Sequence, residues 1–166
     1  MTIIDKIIFI LIAFVACVIL SKIVHRNKNT SVMSFRESLD LTGLPIVTFK
    51  NGEEKLNFIL DTGASKSLID SNALEFIQYT ELEDVSISYG VDGIPHSTPY
   101  VGITLSYKDK NYPEVFKVMD MSTSFGKLKQ DYGVNVHGLL SSSFFERYSY
   151  ILDFENMIVY GKYNKS

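Results

Sequence analysis

Apolar residues follow two regimes along this chain. From Ile7 to Leu20 no charged or strongly polar side chain interrupts them, and Ile3-Ile4 and Ile23-Val24 extend the run on either side. After a polar stretch, Asn27-Lys28-Asn29-Thr30-Ser31, they come instead in short runs separated by turn signals. Short runs of this kind predict strands. Leu44 to Phe49 and Leu56 to Leu60 flank Asn51-Gly52, a pair that tolerates positive φ and so predicts a hairpin. Ser67 to Ile69 continues the sheet, and Asp70 or Ser71 can cap a short helix through Phe76. Val85 to Tyr89 and Tyr100 to Tyr107 alternate apolar with polar residues, with Gly90-Val91-Asp92-Gly93-Ile94-Pro95 as the hairpin tip between them. Lys108 to Asn111 predicts a turn and Val115 to Met119 a strand, while Ser122 to Tyr132 reads as an irregular surface loop. Gly138-Leu139-Leu140 leads into a short helix from Ser142 to Arg147, and Tyr150 to Phe154 and Met157 to Tyr160 form the last two strands.

The N-terminal run predicts a membrane helix over residues 3–24. Lys6 and Lys22 can carry their ammonium groups to the headgroups and lengthen the usable span. A cleaved signal peptide ending near Ala13 or Ala16, or a lipoprotein signal at Cys17, would bring the chain to a membrane in other ways. Lys22, Arg26 and Lys28 follow the helix and only Lys6 precedes it, so the positive-inside bias places the globular part in the cytoplasm on a single-pass anchor. The expected organisation is an anchor over 1–26, a linker over 27–39 and one folded domain over 40–162.

Composition narrows the class. The chain has 166 residues, which suits one domain and a tail. Ten Tyr and eleven Phe with only four Pro favour a sheet-rich fold. A net charge of -3, with no basic patch interleaved with aromatics, gives no footing for nucleic acid. Cys17 is the single cysteine and lies in the apolar run, so the globular part has no disulfide. His96 and His137 are far apart, and no Cys/His set has metal-ligand spacing. No metal is expected.

Chemistry concentrates at Phe58-Ile59-Leu60-Asp61-Thr62-Gly63-Ala64-Ser65. A buried strand runs into an acid, a hydroxyl residue and a glycine, which presents a carboxylate at the end of a dry strand in a turn of backbone N–H groups. Such a carboxylate is costly unless used or well hydrogen-bonded, and it is placed for proton chemistry on a bound substrate. An Asp-x-Gly-x-Ser/Thr string also occurs in the phosphate loop of actin-like and sugar-kinase ATPases, but those need two large α/β domains that this chain cannot supply. The pattern resembles the catalytic turn of aspartic proteases. Together with the hairpin at 90–95 and the Gly138-Leu139-Leu140 motif followed by Phe144-Phe145, its order and spacing resemble the single-lobe, retropepsin-like enzymes over residues 40–162, in a membrane-anchored, bacterial-type form.

That resemblance implies an all-β fold: a small closed β-barrel with one or two short helices, which dimerises so that each copy supplies one Asp61. The two carboxylates would share a proton and activate a water for attack on a peptide bond, with no organic cofactor. Thr62 would hydrogen-bond across the homodimer and Gly63 would let the two turns approach. Ala64, Ser65 and Gly90, Val91, Asp92, Gly93 and Ile94 would contact an extended peptide or protein substrate, the last five as a closing flap. Leu139 and Leu140 would pack beneath the acid turn. One position departs from the family pattern: Ser141 stands where a glycine is expected, and its hydroxyl could crowd the turn. A non-catalytic barrel of the same type, binding peptides or partners at the membrane, is the alternative this departure supports.

Overall fold

The structure is a computed structural model and describes residues 32–89 and 95–161. The expected anchor over 3–24, Cys17, and the flap-tip residues Gly90, Val91, Asp92, Gly93 and Ile94 lie outside the described residues. Among the described residues no helix is long and apolar enough to cross a membrane.

Strands β1 (Ile46–Asn51) and β2 (Glu54–Leu60) form the expected antiparallel hairpin. Its turn needs positive φ only at Gly52 (+59°). Asn51 is buried and uses its amide instead, donating to the carbonyls of Gln78 and Thr104 and accepting from the Gln78 N–H. β3 (Ser67–Asp70) is followed by a 3-10 turn, Ser71–Glu75, capped by Asp70. β4 (Thr80–Tyr89), β5 (Pro95–Tyr107) and β6 (Lys110–Met119) make an antiparallel meander, and β7 (Gly138–Leu140) comes next in the sheet.

The strand order β1-β2-β7-β3-β6-β5 closes on itself through pairing of Lys50 in β1 with Ser106 in β5, giving a six-stranded barrel with β4 added alongside β5. β7 is the wedge. It runs parallel to β2 and antiparallel to β3, and so joins the two strands that flank the acid turn. Inward-facing side chains fill the barrel: Phe49, Leu56, Phe58, Ile69, Val101, Ile103, Leu105 and Phe116 are buried. β6 alternates strictly, with Tyr112, Glu114, Phe116 and Val118 inward, so an acid occupies one core position. β8 (Tyr150–Asp153) and β9 (Ile158–Gly161) form a separate antiparallel pair.

Helices are more numerous than the one or two expected. α1 (Phe35–Thr42) falls partly where the linker is expected, and Met33 and Phe35 are already packed against the domain. A capping box explains its start: Ser34 Oγ accepts from Glu37 N–H, and the Glu37 carboxylate accepts from Ser34 N–H. α2 (Ser122–Tyr132) occupies the stretch expected as an irregular loop. Its only buried residue, Phe125, joins Met33, Ile46, Val134 and Val136 in a second small core. Met121 and Leu128, each half-buried, pack against the same core at helical spacing from Phe125, so the stretch carried a short apolar stripe that its many polar residues obscure. α3 (Ser142–Tyr148) matches the expected short helix and buries Phe144.

Candidate functional site

The acid turn sits where β2 leaves the barrel. Pairing of Leu60 with Leu140 ends the β2–β7 ladder, and the next donor, Asp61 N–H, bonds to the Leu140 carbonyl at 2.9 Å. Asp61 Oδ1 accepts from Gly63 N–H at 2.8 Å, and Ala64 N–H reaches the Asp61 carbonyl at 3.3 Å. These bonds fold the backbone around its own carboxylate, as Asp does in tight turns. A Cβ on Gly63 would stand 3.3 Å from Asp61 Oδ1, so glycine keeps that oxygen uncrowded. Asp61 is half-buried, while Thr62 and Gly63 are exposed. Among the described residues no cation forms an ion pair with Asp61.

The floor of the turn is apolar. Leu140 is fully buried and Leu139 is 9% exposed, so both pack as core beneath the acid. The N-terminus of α3 clamps the far side. Ser142 donates through both its N–H and its Oγ to the Ala64 carbonyl, each at 2.9 Å, and Ser143 Oγ donates to the Ser65 carbonyl at 3.4 Å. Ala64 is half-buried and Ser65 exposed. The structure therefore brings Asp61, Thr62, Gly63, Ala64, Ser65, Leu139 and Leu140 together at one end of the barrel.

No family model matches the chain, and no curated protein does. Among solved structures, it is similar to a structure of EIAV protease complexed with the inhibitor HBY-793. The identity is 18%, the match covers 65% of this chain and 90% of the other, and the TM-score is 0.46.

Ser141 is fully buried, and its hydroxyl is accommodated. It lies 2.8 Å from Ser143 Oγ and 3.2 Å from Ser67 Oγ, and Ser141 N–H also donates to Ser67 Oγ at 3.2 Å. Ser67 in turn donates to Glu114 Oε1 at 3.0 Å, and Arg147 pairs with Glu114 Oε2 at 2.8 Å. Desolvation raises the Glu114 pKa, opposed by the Ser67 hydrogen bond and the charges of Arg147 and Lys66. Sequence reasoning missed Ser67, Glu114, Ser143 and Arg147 as parts of the site. An acid at an inward position of β6, between Tyr112 and Phe116, is the one signal that could have found them.

His137, expected as a solvated or core-edge residue, is held at the entry to β7. Its Nδ1 accepts from Asn57 N–H at 3.0 Å, and burial lowers its pKa to about 4. That fixes a neutral imidazole with Nδ1 unprotonated. Among the described residues no group of three or more His, Cys, Asp or Glu converges on a point where a metal could sit.

Proposed function

We propose that this chain is an aspartic endopeptidase of the retropepsin-like type, active as a homodimer. One observation carries the reading: a half-buried carboxylate where β2 leaves the barrel, fixed by backbone hydrogen bonds and without a counter-ion among the described residues. A single carboxylate cannot act as acid and base at once. Two copies related by a two-fold axis supply a pair, and like charges roughly 3 Å apart cannot both ionise, so the pair holds one proton between them. The ionised Asp61 takes a proton from a water whose oxygen attacks the peptide carbonyl carbon. The protonated Asp61 of the other copy stabilises the developing oxyanion. The C–N bond then breaks as the amine nitrogen receives a proton from the pair.

Exposure of Thr62 and Gly63 fits the surface through which two turns would meet. Residues 90–94 act as the flap over an extended peptide, which Ala64 and Ser65 contact along its backbone. Residues 3–24 anchor the enzyme as a single-pass helix with the barrel in the cytoplasm, and the tether selects membrane-proximal substrates. The alternative of a non-catalytic barrel drew on Ser141, but the hydrogen bonds of that residue run to Ser67 and Ser143 and leave the Asp61–Leu140 bond in place.

Asp61→Asn is the test. New protein termini that form with the wild-type chain and not with D61N support the reading, with an expected loss of about 100-fold or more in cleavage rate. Equal cleavage by both chains, or none by either, overturns it.

A further inference from the structure

The strand pair β8–β9 is apolar on both faces. Tyr150, Leu152 and Val159 pack against the barrel core. Ile158 and Tyr160 alternate with Val159 and so point the other way, where both are exposed. Half-buried Ile151 pairs with Tyr160 on that outer face. Phe154, at the turn between the strands, is 59% exposed. Asp153, opposite Ile158, has its carboxylate taken up by the N–H and the side-chain amide of Asn156, at 2.9 and 2.8 Å. An apolar surface of this kind, rimmed by polar residues, marks a contact with something else.

The same hairpin lies where the domain is entered from residues 1–31. Phe154 stands edge-on to Phe35, the first residue of α1, with ring centroids 5.2 Å apart. Arg36 donates to the Asn156 carbonyl at 3.4 Å, which ties the hairpin turn to the start of that helix. Val32, three residues before Phe35, is 60% exposed. Between the expected anchor over 3–24 and Val32 lie only residues 25–31. Fully extended, seven residues reach about 25 Å at most. The entry point of the domain therefore stays close to the end of the apolar run, and the exposed hairpin is beside it.

We propose that the outer face of β8–β9, with Phe154 and Val32, rests on the lipid bilayer and fixes the orientation of the barrel against it. The proposal rests on the reading of residues 3–24 as a membrane anchor. Aliphatic and aromatic side chains suit the boundary between headgroups and acyl chains, where a tyrosine buries its ring and keeps its hydroxyl wet. Exposed charges beside the patch are of both signs, Arg36 with Glu37 and Glu155, so the face takes an apolar boundary and does not read headgroup charge. A small patch suffices, because the tether already holds it at high local concentration near the surface. One tether alone lets the barrel swing; a second contact stops it and gives the acid turn a constant aspect toward the membrane.

The sequence has no tryptophan, so a single introduced one reports alone. The full-length chain is placed in phosphatidylcholine vesicles, with and without lipids brominated on their acyl chains. Phe154→Trp and Tyr160→Trp each replace an exposed aromatic side chain, and Val115→Trp, exposed on the outer face of β6, is the reference. Bromine quenches the emission of F154W and Y160W about twofold or more and leaves V115W unchanged. High salt does not release the quenching, because no charge attraction holds the face. Equal quenching of all three variants, or of none, in vesicles that carry the chain overturns the proposal. So does F154W emission that moves with protein concentration and not with bromine, since a second copy then covers the face. Chains that fail to float with the vesicles sink the anchor reading, and the proposal falls with it.

Discussion

Gly138 has no room for a side chain. A Cβ there would stand 2.3 Å from the Leu68 carbonyl oxygen and 2.8 Å from Phe58 Cε1, both fixed parts of the barrel. Gly138→Ala must push β3 or β2 away from β7, and we expect a loss of about 3 kcal/mol in urea unfolding; an unchanged midpoint would contradict the packing. His137, its neighbour, makes a pH prediction. Its pKa is lowered from 6.5 to about 4, so the unfolded chain binds the proton more readily than the folded one. Stability from this residue is full above the unfolded value and is lost as pH falls from about 6.5 to about 4, a decline of roughly 3 kcal/mol. His137→Gln cannot titrate, so its stability should show a correspondingly weaker decline across that window, readable by denaturant unfolding at several pH values.

At the scale of elements, β8 carries a group that the described residues around it do not satisfy. Tyr150 packs against Phe49, Tyr112, Phe144 and Phe145, and its buried hydroxyl has no hydrogen-bond partner among the described residues. Burial pushes its pKa well above the ordinary tyrosine value. Tyr150→Phe keeps the ring and removes the orphaned oxygen, so stability should rise by about 1 kcal/mol in thermal or urea unfolding; a loss would mean that the hydroxyl has a partner after all. Elements with a clear period were legible in the sequence. Leu44 to Phe49, Leu56 to Leu60 and the short helix after Leu140 lie close to their expected places. α2 was hard to read because its apolar stripe is only Met121, Phe125 and Leu128 in a polar, Ser/Lys-rich stretch, with an ion pair between Lys127 and Asp131 and a left-handed Gly133 at its end. α1 carried a readable signal in Ser34 and Glu37, but its proximity to a polar stretch favoured a linker reading.

For the whole molecule, the acid turn was legible because its residues are consecutive, whereas the hydrogen bonds from Ser67 to Ser141 and to Glu114 join positions 74 and 47 apart in sequence and no local pattern marks them. Association belongs to this scale as well. If each copy supplies one Asp61, wild-type chain mixed with excess D61N should lose activity as mixed dimers form, and activity at low concentration should fall faster than the amount of chain; activity proportional to wild-type chain under dilution and mixing would argue for a self-sufficient monomer. The wedge strand has a last consequence. Ser142 clamps Ala64 across 78 positions, so the turn has neither ceiling nor floor until the segment through Ser142 has been made and has folded back. A nascent chain would thus display an unfinished, harmless acid, and any cutting would have to wait until residues far downstream had been added.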